Sequence, residues 1–103
     1  MYDNIIAKMR ERIRTRKYVL TVHANEEMEN DHLTVFDLEN CILTGKIIER
    51  QRDKNTAEWK YVVKGKCYSL KKDPMIVVGK ISTTDKLVVL TVFPDQGGEP
   101  YDL

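Results

Sequence analysis

The sequence predicts an α+β domain in which helices pack on one antiparallel sheet of about four to five strands. Three observations carry this reading. Up to Gly45, apolar residues recur mainly at helical spacing. From Lys46 onward they alternate, in short runs separated by turn residues. A chain of 103 residues with 42% hydrophobic content is long enough for one core and too short for two. We therefore expect a single domain over residues 1–94, followed by a flexible tail over residues 95–103.

Tyr2, Ile5, Ile6, Met9 and Ile13 lie on one helical stripe, with Asp3 or Asn4 as the expected cap. The bases that crowd the end of this helix suit its dipole. Lys17 to Val22 is β-branched and aromatic, which predicts a short strand, and Thr21 or Val22 then starts a short helix carrying Ala24 and Met28. Thr34 as N-cap with Asp37 three residues on reads as a capping box, with Leu33 and Leu38 placed for a hydrophobic staple. Val35, Leu38, Cys41 and Ile42 form its expected buried stripe, and Gly45 ends it.

Ile47 to Arg52 and Glu58 to Lys64 are predicted strands joined by a turn. In the second, Trp59, Tyr61 and Val63 share one face while Lys60, Val62 and Lys64 share the other. Cys67 to Leu70 is a candidate short strand. Met75 to Ile81 and Leu87 to Phe93 are apolar on both faces, which predicts central antiparallel strands joined across Ser82 to Lys86.

The formal net charge of +1 conceals segregation. Lys and Arg are absent between Tyr18 and Gly45, whereas Lys46 to Lys80 carries ten against four acids. A basic β-rich face is a landing surface for a polyanion, and RNA is the first candidate. No apolar run approaches the roughly 20 residues of a membrane span, and the N-terminus is not a secretory signal, so a soluble, cytoplasmic protein with reduced Cys41 and Cys67 is expected. His23, His32, Cys41 and Cys67 lack metal-ligand spacing, and no phosphate-binding loop or nucleophile elbow is present, so neither a metal nor a cofactor is expected.

Arg50 and Arg52 share a strand face, Lys60 and Lys64 share one on the next strand, and Lys80 interrupts an apolar central strand. Adjacent strands could converge Arg50, Arg52, Lys60, Lys64 and Lys80 on RNA phosphate. Edge-strand lysines that prevent aggregation account for most of Lys64, Lys66, Lys71 and Lys72, and less well for Lys80 and the paired arginines. Trp59 and Tyr61 could stack on bases or line the core side of a sheet. His23 lies at a strand-to-helix junction, where backbone N–H groups disfavour its cationic form. A neutral histidine there suits a general base, and one bonded to the backbone is equally good architecture. His32, in the inter-helix turn, is expected to be solvated.

The T-x-H-A motif at Thr21 to Ala24, the L-T-V-F-D-L-E-N-C-I-L-T-G helix, K-Y-V-V-K-G at Lys60 to Gly65 and Thr91 to Pro94 together resemble an uncharacterised prokaryotic family over about Tyr18 to Pro94. That pattern is similar to the RelE/ParE-like toxins, including the BrnT and MqsR branches, in which helices cover a basic antiparallel sheet. The resemblance implies a toxin of a toxin-antitoxin module, acting as a metal-independent endoribonuclease and neutralised by a small zinc-ribbon or helix-turn-helix antitoxin. It also implies the alternative of a non-enzymatic module that binds RNA or inhibits a topoisomerase-type target. By position it places Arg50, Lys60, Tyr61 and Lys80 in the catalytic region, with His23 or Tyr61 moving the proton, and sets Tyr101 beside a terminal tyrosine of some members.

Overall fold

The computed structural model describes residues 2–68 and 74–95. Its elements run α1 (Asp3–Arg14), β1 (Tyr18–Leu20), α2 (Val22–Asn30), α3 (Val35–Thr44), β2 (Lys46–Arg52), β3 (Trp59–Gly65), β4 (Met75–Ile81) and β5 (Leu87–Pro94). The strands form one five-stranded sheet in the order β1-β5-β4-β3-β2, and the three helices pack on one side of it.

Strands β2 to β5 form the expected antiparallel meander, with β4 and β5 inside the sheet. β1 departs from expectation: it pairs parallel to β5, Tyr18 opposite Leu87 and Leu20 opposite Val89, so the sheet is mixed. Its three residues enter at the edge beside the last strand, and the chain reaches β5 only after two helices and the meander. Such a connection is long enough for parallel pairing. Cys67 and Tyr68 are not in a strand, and the rest of the candidate strand at 67–70 lies outside the described residues.

The main core joins Ile6, Met9 and Ile13 of α1, Ala24 and Met28 of α2, and Leu38, Cys41 and Ile42 of α3 to Val63, Val77, Leu87, Val89 and Val92 of the sheet. α1 begins from Tyr2, which makes no side-chain cap bond, rather than from Asp3 or Asn4, because Asp3 is already helical. Its bases do more than suit its own dipole. Arg10 donates from Nε to the Ile42 carbonyl at 3.3 Å and from Nη2 to that of Gly45 at 2.7 Å, so it caps the end of α3. Arg12 donates to the Asp85 carbonyl at 2.6 Å and to its carboxylate at 2.5 Å, fastening α1 to the β4–β5 turn.

The α3 capping box is present: Asp37 N–H donates to Thr34 Oγ1 at 3.3 Å and Thr34 N–H to Asp37 Oδ2 at 2.8 Å. Asp37 rather than Val35 occupies the buried stripe, at 2% exposure against 44%. The box turns the Asp37 carboxylate inward, where the Cys67 thiol also donates to it at 3.1 Å, and leaves Val35 at the first helical position pointing out. Gly45 and Gly65 let β3 meet α3 backbone to backbone, since a Cβ at Gly65 would collide with the Cys41 carbonyl. Cys41 and Cys67 are buried and form no disulfide. No helix among the described residues is long and apolar enough to cross a membrane.

Candidate nucleic-acid interface

The β2–β3 hairpin decides where the predicted site residues face. Ile47 stands opposite Val63, which belongs to the helix-covered core. The register then shifts, so that Glu49 rather than Ile48 stands opposite Val62. Ile48 is an inserted bulge residue, and one extra residue moves every later side chain of the strand to the other face. Without it, Arg50 would face Lys60. With it, Arg50 stands opposite Tyr61 and Arg52 opposite Trp59, on the helix side of the sheet.

The expected convergence of Arg50 and Arg52 with Lys60, Lys64 and Lys80 therefore does not occur: the arginines lie on one face and the lysines on the other. The two guanidinium groups stand over the Trp59 ring instead, with Cζ 3.9 Å from the centroid for Arg50 and 4.1 Å for Arg52. Arg52 also donates from Nη1 to the Ala57 carbonyl at 2.6 Å, which ties it to the turn. Both arginines are exposed, whereas Trp59 and Tyr61 are half-buried. Tyr2 meets Tyr61 edge-on at 6.0 Å. Beside this ledge lies a groove of about 280 Å³ lined by Ile5, Glu58, Trp59, Tyr61 and Ile81. Delocalised cations held over an indole, next to an open aromatic-lined groove, can take up phosphate and a stacked base together.

The opposite face has a different character. Val62, Ile76 and Val78 are fully buried there, with Leu90 and Phe93 against them. Lys80 is 14% exposed and lies between two acids, 3.5 Å from Asp53 and 3.8 Å from Glu58. A backbone N–H of Asn55, followed by the charge of Lys80, holds the Asp53 carboxyl below its ordinary range. Lys64 pairs with Asp95 at 3.0 Å, and Lys60 stands opposite Gln51. A phosphate approaching Lys80 or Lys64 would compete with carboxylates already in contact. Asp95, expected as the first tail residue, also donates its N–H to the Pro74 carbonyl at 2.9 Å. The rest of the tail, including Tyr101, lies outside the described residues.

His23 is the second residue of α2, 66% exposed, with Nε2 3.3 Å from Glu27 Oε1. That oxygen also accepts the Val92 N–H at 3.1 Å, at a stretch of β5 beyond the reach of the three-residue β1. Thr21 caps α2 by accepting from Ala24 N–H at 3.1 Å and donates to the Leu90 carbonyl at 3.2 Å. The T-x-H-A motif thus stitches α2 to the edge of β5. Three strand spacings, about 14 Å, separate β5 from β2, so His23 and the arginine ledge do not share one phosphate. His32 is exposed, as expected, at φ 55°. No group of three or more His, Cys, Asp or Glu among the described residues could hold a metal ion.

One protein-family description, "Domain of unknown function (DUF4258)", matches residues 20–94, from the end of β1 to the end of β5. No curated protein and no solved structure matches the chain.

Proposed function

The chain belongs to that family of unknown function, and on this premise we propose that it is a toxin-like RNA-binding module that takes up single-stranded RNA at the Arg50–Arg52–Trp59 ledge. The observation that carries the reading is the pair of exposed guanidinium groups stacked over one indole beside an aromatic-lined groove. Arginine stacked on an aromatic keeps its fork of donors for phosphate, and the adjoining rings offer sequence-tolerant surfaces for bases. The motif resemblance to RelE/ParE-like toxins supports a cytoplasmic role opposite a small antitoxin.

A second reading, metal-independent cleavage, is favoured by the His23–Glu27 contact. A carboxylate beside an imidazole orients it for proton transfer from a ribose 2′-hydroxyl. In that reading the scissile phosphate sits at the start of α2, apart from the hairpin. Fluorescence anisotropy with single-stranded RNA in EDTA, followed by gel analysis of the same samples, separates the two. Saturable binding of intact RNA supports the binding module, cleavage in EDTA supports the nuclease, and the absence of both binding and cleavage removes RNA as the target.

A further inference from the structure

At the opposite end of the β2–β3 hairpin, a groove of about 460 Å³ is lined by Thr44, Lys46, Lys64, Gly65, Lys66 and Pro74. Lys46 and Lys64 stand directly opposite each other in the strand register. Like charges in that position destabilise a sheet. The ordinary compensation would be the negative end of α3, which closes at Thr44 beside the groove. Arg10 already occupies it, through the Ile42 and Gly45 carbonyls. Asp95 answers Lys64. Lys46 and Lys66 are exposed and form no ion pair with the described residues, so the groove holds positive charge that no carboxylate among the described residues answers.

Its shape is also fixed. Gly65 is pressed against the α3 backbone, the Lys66 N–H donates to Thr44 Oγ1 at 3.0 Å, and the Lys66 carbonyl accepts from Asn40 at 3.0 Å. The lysine stems therefore rise from an anchored floor, and their ammonium groups can turn inward together around a compact anion.

We infer that this groove binds a phosphate group, and that it is the second anchor for the RNA strand held at the arginine ledge. The phosphate site stands on the groove itself, whereas RNA as its source rests on the proposed function. Lys46 to Arg52 spans about 20 Å of extended chain. β2 is the outermost strand, so RNA leaving the ledge can cross its edge at the Ile48 bulge and reach the lysine face.

The test uses inorganic pyrophosphate and two single-stranded RNAs of four and twelve nucleotides, with wild type and the Lys46→Gln/Lys66→Gln variant, which leaves the Lys64–Asp95 pair intact. Thermal melting first checks that the variant folds. We expect pyrophosphate to shift the Lys46, Gly65 and Lys66 amide resonances saturably. The variant should lose at least tenfold in affinity for pyrophosphate and for the longer RNA, with the shorter RNA unaffected. Absent shifts, or equal shifts in the variant, overturn the phosphate site. Pyrophosphate binding lost in the variant while the longer RNA binds both proteins equally overturns the RNA anchor and leaves a site for a free phosphate compound. Pyrophosphate binding at the groove with no RNA bound by wild type upholds the phosphate site and overturns the RNA reading.

Discussion

Arg52 lies directly across from Trp59 in the β2–β3 register, with its guanidinium carbon 4.1 Å from the indole centroid. The bulge at Ile48 creates this relationship by turning Arg50 and Arg52 away from the lysine face and onto the only tryptophan of the chain.

Trp59→Ala removes the indole over which both arginines stand, and with it the geometry of the ledge. RNA affinity should fall by about 0.5–2 kcal/mol, the usual value of a cation–π contact. Trp59→Phe should restore much of it. Titration of labelled RNA against each variant checks this, with melting temperatures measured in parallel.

Lys80 behaves as a structural cation. Its substitution by alanine leaves Asp53 and Glu58 facing each other without it. Since the side chain is 14% exposed, the cost should fall between surface and buried values, about 1–2 kcal/mol by chemical denaturation. RNA affinity at a temperature where the variant is folded should be unchanged.

Glu27 and His23 separate architecture from proton transfer. Glu27→Ala leaves the Val92 N–H at the β5 edge unpaired and should destabilise by about 1–3 kcal/mol, whereas Glu27→Gln keeps an acceptor and most of the stability. His23→Gln should leave the melting temperature nearly unchanged, because the ring is exposed. If RNA cleavage is observed and His23 is its base, that substitution should lower the rate by about two to four orders of magnitude.

Tyr18 supplies a pH dependence. Its hydroxyl donates to Glu39 at 2.6 Å, and burial followed by that carboxylate pushes its pKa from 10.0 up to about 12. The folded state favours the neutral phenol, so this contribution is complete below pH 10 and is lost as pH rises toward 12. Tyr18→Phe should flatten the stability profile in that window, and should remove one late-ionising tyrosine from the absorbance titration.

Local chemistry made much of the fold legible. Thr34 and Asp37 announce the start of α3 because a capping box is written in two residues three positions apart, and the doubly apolar runs of β4 and β5 place them inside the sheet. The direction of β1 was not legible, because three residues carry no signature of parallel pairing. Arg50 and Arg52 do share a face, but their convergence with Lys60 and Lys64 requires strict alternation from Ile47 to Arg52, which the bulge breaks. The adjacent Ile47 and Ile48 are the one place where that alternation stumbles, and they mark the bulge. Arg10 and Arg12 gave no hint that they fasten α1 to α3 and to the β4–β5 turn, since their partners are 32 and 73 residues away.

The most direct test of the arginine ledge is the salt dependence of single-stranded RNA affinity for wild type, Arg50→Ala/Arg52→Ala and Lys60→Ala/Lys80→Ala. The ledge predicts that the arginine pair lowers the slope of log affinity against log salt by about 0.7 per residue, while the lysine pair leaves it at the wild-type value. An unchanged slope in the arginine variant together with a reduced one in the lysine variant would contradict the ledge and move the interface to the opposite face of the sheet.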